Sequence, residues 1–191
     1  MALVLTSGPA AEPISVAEAK AHLRIDGDSE DVLLASLVLT SRLHIEAALG
    51  LALITQGWRL VLDRWPKGGD LRIPLRPIAA VSEIRVRDAM GVATEVDADS
   101  YIADVESNPP RIVATTAGIP QSGRVAGGIE IDLVAGYGAT ADAVPAPIRH
   151  ALLLLVAHWY EHRDPVEIGA PGAAIPDAVS RLLKPYRMAR L

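Results

Sequence analysis

The residues best placed to do chemistry stand together near the end of the chain, at His158-Trp159-Tyr160-Glu161-His162. They form an H-x-x-E-H pattern, which on a helix offers two imidazoles to a zinc ion. Residues four apart share a helix face, so the spacing suits the geometry. A catalytic zinc also needs a third protein ligand, an open position and a cleft. No acidic or histidine ligand follows at a characteristic distance, and Asp164-Pro165 breaks the helix at once. The opposing reading leaves His158 and His162 at a helix end, facing solvent or another subunit, where the dipole favours their positive charge. A zinc-dependent hydrolase using His158, Glu161 and His162 is thus the alternative to a structural role.

Other catalytic patterns are missing. There is no G-x-S-x-G elbow, no phosphate-binding G-x-x-x-x-G-K-[ST] loop and no G-x-G-x-x-G dinucleotide fingerprint. Gly136-Tyr137-Gly138 follows a strand without the third glycine and reads as a turn that leaves the sheet. Asp97, Asp99 and Asp104 lack the Gly and Glu of a calcium loop and read as carboxylates in solvated turns. The chain has no cysteine, which excludes disulfides, thiolate metal sites and thiol nucleophiles. No catalytic residue, metal or cofactor is expected.

Basic residues carry more information. Arg181, Lys184, Arg187 and Arg190 recur every third position with no acid among them. Val179, Leu182 and Leu183 lie beside them, too few apolar groups to fold alone but enough to fill a groove. Nucleic-acid contact, docking on an acidic protein groove and a solvated tail are the three readings. Trp58 and Trp65 fit sheet and corner packing better than base stacking.

The elements that must position these residues follow from periodicity. Residues 1–12 read as a flexible leader. Ser15 and Glu18 have capping-box spacing, with Ile14 as a staple, and open a short helix to about Arg24. Asp28 or Ser29 caps a second helix to Leu49, and Gly50 is placed for its left-handed end. That helix is apolar around much of its girth. Val32, Leu39 and Leu43 widen the face already set by Leu33, Leu37 and Val38, so it needs more than one neighbour. From Leu53 the period changes to two. Ile54, Gln56, Trp58, Leu60 and Leu62 share one side of a strand, residues 66–70 turn it, and Leu71–Leu75 returns. Val81–Arg87 with Val92–Val96 reads as a hairpin. Tyr101–Val105, Arg111–Ala114 and Ile129–Val134 complete a β-rich middle. A long helix over 148–162 follows, then a small-residue linker over 166–175 and a last short helix from Asp177. The fold class is α+β, with N-terminal helices, an antiparallel β-rich middle, a long C-terminal helix and a short terminal one.

Composition narrows the function classes. At 191 residues, half of them hydrophobic and 21% charged, the chain is long enough for a packed core. A mean hydropathy of +0.27 points to apolar surface reserved for partners. The aliphatic runs Val32–Leu39 and Ala151–Ala157 fall short of the roughly 18–20 residues that span a bilayer. No basic region precedes a signal-like segment at the start. A net charge of −5 argues against wrapping DNA by neutralising phosphates. Together these predict a soluble, intracellular, self-associating protein with no membrane role.

One resemblance spans most of residues 13–165. Pro13-Ile14-Ser15-Val16-Ala17-Glu18-Ala19-Lys20-Ala21-His22-Leu23-Arg24 resembles the opening of the head–tail connector, or adaptor, proteins of long-tailed phages. The similarity continues through Leu53–Trp58, Leu62–Pro66, Ile73–Ile78, Ala135–Gly138, Val144–Arg149 and His158–Glu161. Gly57 stands where such proteins often carry a β-branched residue. The resemblance implies a connector domain over 13–165 and a linker with a docking arm over 166–191. It implies a ring, expected to be a dodecamer, between the capsid portal and the stopper or tail, with DNA passing through its opening without sequence-specific binding. It places the protein at the head–tail junction of a phage, prophage or gene-transfer-agent particle, made in the bacterial cytoplasm. Val32, Leu39 and Leu43 are then candidate subunit-interface residues. Val179, Arg181, Leu182, Leu183, Lys184, Arg187 and Arg190 are candidates for docking on the portal.

Overall fold

A computed structural model describes residues 1–162 and 176–188. The linker and the 165/166 boundary fall outside the described residues. The chain divides into two compact units, Met1–Ala10 with Gly50–Tyr137 and Ala11–Leu49 with Gly138–Leu191.

The first unit is built from strands β1 (Ala2–Ser7), β2 (Gln56–Leu62), β3 (Asp70–Arg72), β4 (Ile78–Arg87), β5 (Ala93–Glu95), β6 (Tyr101–Asp104), β7 (Arg111–Ala114) and β8 (Ile129–Ala135). They make a five-stranded sheet in the order β1-β2-β8-β4-β5 and a three-stranded sheet in the order β3-β7-β6. Every pairing between these strands is antiparallel. Alternation does the sorting: Leu60, Leu62, Ile84, Val86, Ile129, Ile131 and Leu133 point inward and share a core with Leu71, Ile73 and Ile112. Trp58 and Trp65 pack against that core, half-buried, as expected of packing residues.

Two expectations need correction here. Residues 2–7 are an edge strand, not a loose leader, because the run Ala2-Leu3-Val4-Leu5-Thr6 suits a pleated surface. β1 pairs with β2, and Leu3 packs on the core. Its register shifts between Leu5 and Ser7, opposite Gly57. A Cβ at Gly57 would lie 2.9 Å from Thr6 Oγ1, so glycine is what lets the bulged strand approach. The second correction concerns the returning strand after residues 66–70. β3 does not pair with β2; it joins β7 in the other sheet. Leu71, Ile73 and Leu75 are all buried, which a hairpin folded back along the edge would not achieve.

The second unit is helical, with α1 (Val16–Leu23), α2 (Asp31–Leu49), α3 (Ala146–Glu161) and α4 (Asp177–Leu183). The capping box forms as the spacing predicts. Ser15 Oγ accepts from the Glu18 N–H at 3.1 Å, and Glu18 Oε2 accepts from the Ser15 N–H at 2.7 Å. Asp28 does not cap α2; its carboxylate accepts from Lys20 Nζ at 2.6 Å, and the helix begins at Asp31. Gly50 takes the left-handed conformation after Leu49, with φ 63°. α2 packs against α1 and α3, and α4 packs against α3. By length and composition α2 alone among the described helices matches a membrane span, with a mean hydropathy of 1.5. It also carries a buried ion pair: Arg42 Nη1 donates to Glu46 at 2.8 Å, and Arg42 Nε reaches Glu12 at 2.7 Å.

Candidate functional site

α2 divides its apolar residues between two faces. Leu34, Val38 and Ile45 are buried, and Arg42 is buried between its two carboxylates. On the other side Val32, Leu39 and Leu43 are 87%, 42% and 51% exposed. Their spacing of seven and four residues sets them on one stripe, with exposed Ser36 and Ala47 in line. A fully exposed apolar side chain forgoes about 1.5–3 kcal/mol of burial, and a half-exposed one about half of that. A stripe of three along one helix is the kind of surface a partner covers.

The C-terminal candidates separate. Val179 and Leu183 are 2% and 6% exposed in the helical unit, so they are core residues and not groove-filling groups on a free arm. The i, i+4 spacing puts both on the face of α4 that meets α3. Arg181, Lys184 and Arg187 are exposed, and Leu182 is half-buried. Arg190 lies outside the described residues.

The histidine motif keeps its two imidazoles side by side, while Trp159 and Tyr160 between them make contacts within the helical unit. His158 and His162 lie with ring centroids 4.6 Å apart, and His162 Nδ1 sits 2.9 Å from the His158 carbonyl. Trp159 meets His44 edge-on at 5.7 Å, and the Tyr160 hydroxyl bonds Glu30. Glu161 is exposed. Among the described residues, no three His, Asp or Glu side chains converge to hold a metal ion. Asp97 accepts from the Asp99 N–H, while Asp104 binds Ser107 and Arg111. Ser107 and Arg111 together hold the Asp104 carboxyl below its ordinary range.

The outward face of the five-stranded sheet holds a ladder of ion pairs that sequence reading missed. Arg59 Nε lies 2.7 Å from Asp132, and Arg85 bridges Asp132 at 2.5 Å and Glu83 at 2.6 Å. Arg87 pairs with Glu130 at 2.9 Å. The hydrogen bond from Arg59 is the main reason the Asp132 carboxyl is held below its ordinary value, with Arg85 adding to it. The signal was present as charges alternating with Leu60, Ile84 and Ile131. Which strands meet is a non-local matter, and alternation within a strand cannot show it.

An exposed apolar helix face, exposed cations on and just after the last helix and a self-satisfied charged sheet describe a protein that works by contact with other proteins. Comparison with known proteins places it further. Residues 13–110 match the family of phage gp6-like head–tail connector proteins. A chain in the neck of an empty gene transfer agent particle, computed with C6 symmetry, is 33% identical with a TM-score of 0.85. A chain in the virion of a native gene transfer agent particle is 34% identical with a TM-score of 0.83. A third, in a native particle neck computed with C12 symmetry, is 34% identical with a TM-score of 0.80. Each match covers 100% of this chain and 97% of the other. No curated protein matches the chain. The chain belongs to the phage gp6-like head–tail connector family. It is a structural adaptor of the head–tail junction, and its structural neighbours are proteins of the particle neck.

Proposed function

We propose that this chain forms a closed ring, a dodecamer in the assembled particle, between the capsid portal and the stopper or tail. DNA passes through its opening. The carrying observation is the exposed stripe of Val32, Leu39 and Leu43 on α2. A head-to-tail interface that closes on itself buries two different faces of each copy, and this stripe suits one of them. The twelvefold and sixfold necks that hold similar chains support that symmetry. A net charge of −5 suits a conduit that must let DNA slide. Arg181 and Leu182 on α4, with Lys184 and Arg187 in the turn that follows it, are the groups available to meet an acidic surface of the portal.

The test is a Leu39→Glu, Leu43→Glu double variant produced in cells that make particles. Both side chains are exposed, so the isolated protein should keep its circular dichroism spectrum and melting temperature. Electron microscopy should then show heads without necks or tails. Normal tailed particles from the double variant would remove α2 from the interface.

A further inference from the structure

The end of the β-rich unit where β2 and β4 finish and β8 starts gathers three loops. Leu62, Ile129 and Val86 are in register there, so residues 63–69, 88–92 and 115–128 project from the same edge. They are tied together: Asp63 Oδ1 accepts from the Gly127 N–H at 2.8 Å, and the Gly123 N–H donates to the Arg87 carbonyl at 3.0 Å. Between the first and third loops lies a cleft of about 420 Å³, lined by Arg64, Trp65, Lys67, Ile119, Pro120 and Arg124 among others.

Two features of this end have no internal purpose. Arg64, Lys67 and Arg124 are exposed and make no side-chain ion pair among the described residues, although Arg59, Arg85 and Arg87 on the adjoining strands are all paired. Three cations therefore face one lining carboxylate, Asp63, in a chain whose net charge is negative. On the adjoining loops Met90, Val92 and Val125 are 91%, 60% and 88% exposed.

We propose that this loop end is a docking surface for a protein segment that is acidic and carries apolar or aromatic side chains. The cations steer and hold its carboxylates. The cleft beside Trp65 and Ile119 takes a side chain, and Met90 and Val125 on the adjoining loops offer further apolar contacts. Duplex DNA satisfies only half of this description. Phosphates would neutralise the cations but offer nothing to Met90, Val125 or Ile119.

The experiment measures binding of the full chain in solution, so it does not depend on ring formation. Fluorescent poly(Glu,Tyr), polyglutamate of equal length and a duplex DNA of matched charge are compared by anisotropy at low salt. Poly(Glu,Tyr) should bind saturably and at least about fivefold tighter than the other two. Arg64→Glu, Lys67→Glu, Arg124→Glu together should weaken it about tenfold or more. Met90→Ser with Val125→Ser, at exposed positions that spare the fold, should weaken poly(Glu,Tyr) but leave polyglutamate unchanged. Equal binding of the two polypeptides would overturn the proposal, as would tighter binding of the duplex. So would binding that follows Arg181→Glu, Lys184→Glu, Arg187→Glu in place of the cleft variants.

Discussion

Arg59 and Asp132 face each other across the β2–β8 pair, with Nε and Oδ1 2.7 Å apart and Asp132 shared with Arg85. This junction holds three central strands by their outward face while the aliphatic face holds them from within. A carboxyl held below its ordinary value stabilises the fold fully above the unfolded value of about 4. That contribution is lost as the pH falls through the lower folded value. Urea melts from pH 7 down to pH 2 should show a loss of stability setting in near pH 4. Asp132→Asn should remove about 1–2 kcal/mol at pH 7 and flatten the acid limb. An unchanged acid limb in the variant would assign the loss to other carboxylates, Glu18 and Asp104 first.

The helical unit has a second charge centre, and it is buried more deeply. Arg42 is 7% exposed at its side chain, between Glu46 on its own helix and Glu12 before α1. Removing the cation leaves both carboxylates facing each other across the space it filled. Arg42→Ala should therefore cost about 3 kcal/mol, read from chemical denaturation at pH 7. Arg42→Met should recover part of the loss, since its stem keeps the packing. Equal losses in both variants would mean that charge alone matters.

How much of this was legible in the sequence depended on distance along the chain. The Ser15–Glu18 capping box, the end of α2 at Gly50 and the parity of β2 all rest on residues within a turn or a strand of each other, and each forms. The exposed stripe on α2 was legible too, because Val32, Leu39 and Leu43 exceed what one helix needs to bury. What failed was partnership. Leu71–Leu75 carries the pattern of a strand but not the identity of its neighbour β7, some 40 residues on. Residues 1–12 read as a leader because of the small, broken run at 8–11, and the partner that orders residues 2–7, β2, lies some 50 residues away. Val179 and Leu183 read as free for the same reason: α3 lies across a linker that hides the contact.

Gly57 supplies a test of the edge strand. A side chain there would press on Thr6 Oγ1 at 2.9 Å and on Ser7 Cβ at 3.3 Å. Gly57→Val adds β propensity to β2 while forcing β1 outward, and the two effects have opposite signs. The steric term should win, because Thr6 and Ser7 belong to a strand already bulged at that point. Hydrogen exchange at Leu3 and Leu5 should accelerate in the variant, with a global loss of about 1 kcal/mol. Slower exchange at those amides would show that β1 can shift to accept the side chain.

The last helix must be tested on its surface, since deleting it damages the fold. Val179 and Leu183 are buried, so a chain truncated after Ile175 should lose about 3 kcal/mol of stability. A failure of that shortened chain to join heads would then say nothing about docking. Arg181, Lys184 and Arg187 are exposed, and reversing them to Glu leaves Val179 and Leu183 in place. The triple variant should melt within about 1 kcal/mol of the native chain, because exposed charges contribute little to stability. Its attachment to purified DNA-filled heads should fall at least about tenfold if these cations meet an acidic portal surface. Adding salt should weaken the native chain's attachment toward the level of the variant. Attachment unchanged by the triple reversal would take the portal contact away from α4 and the turn that follows it.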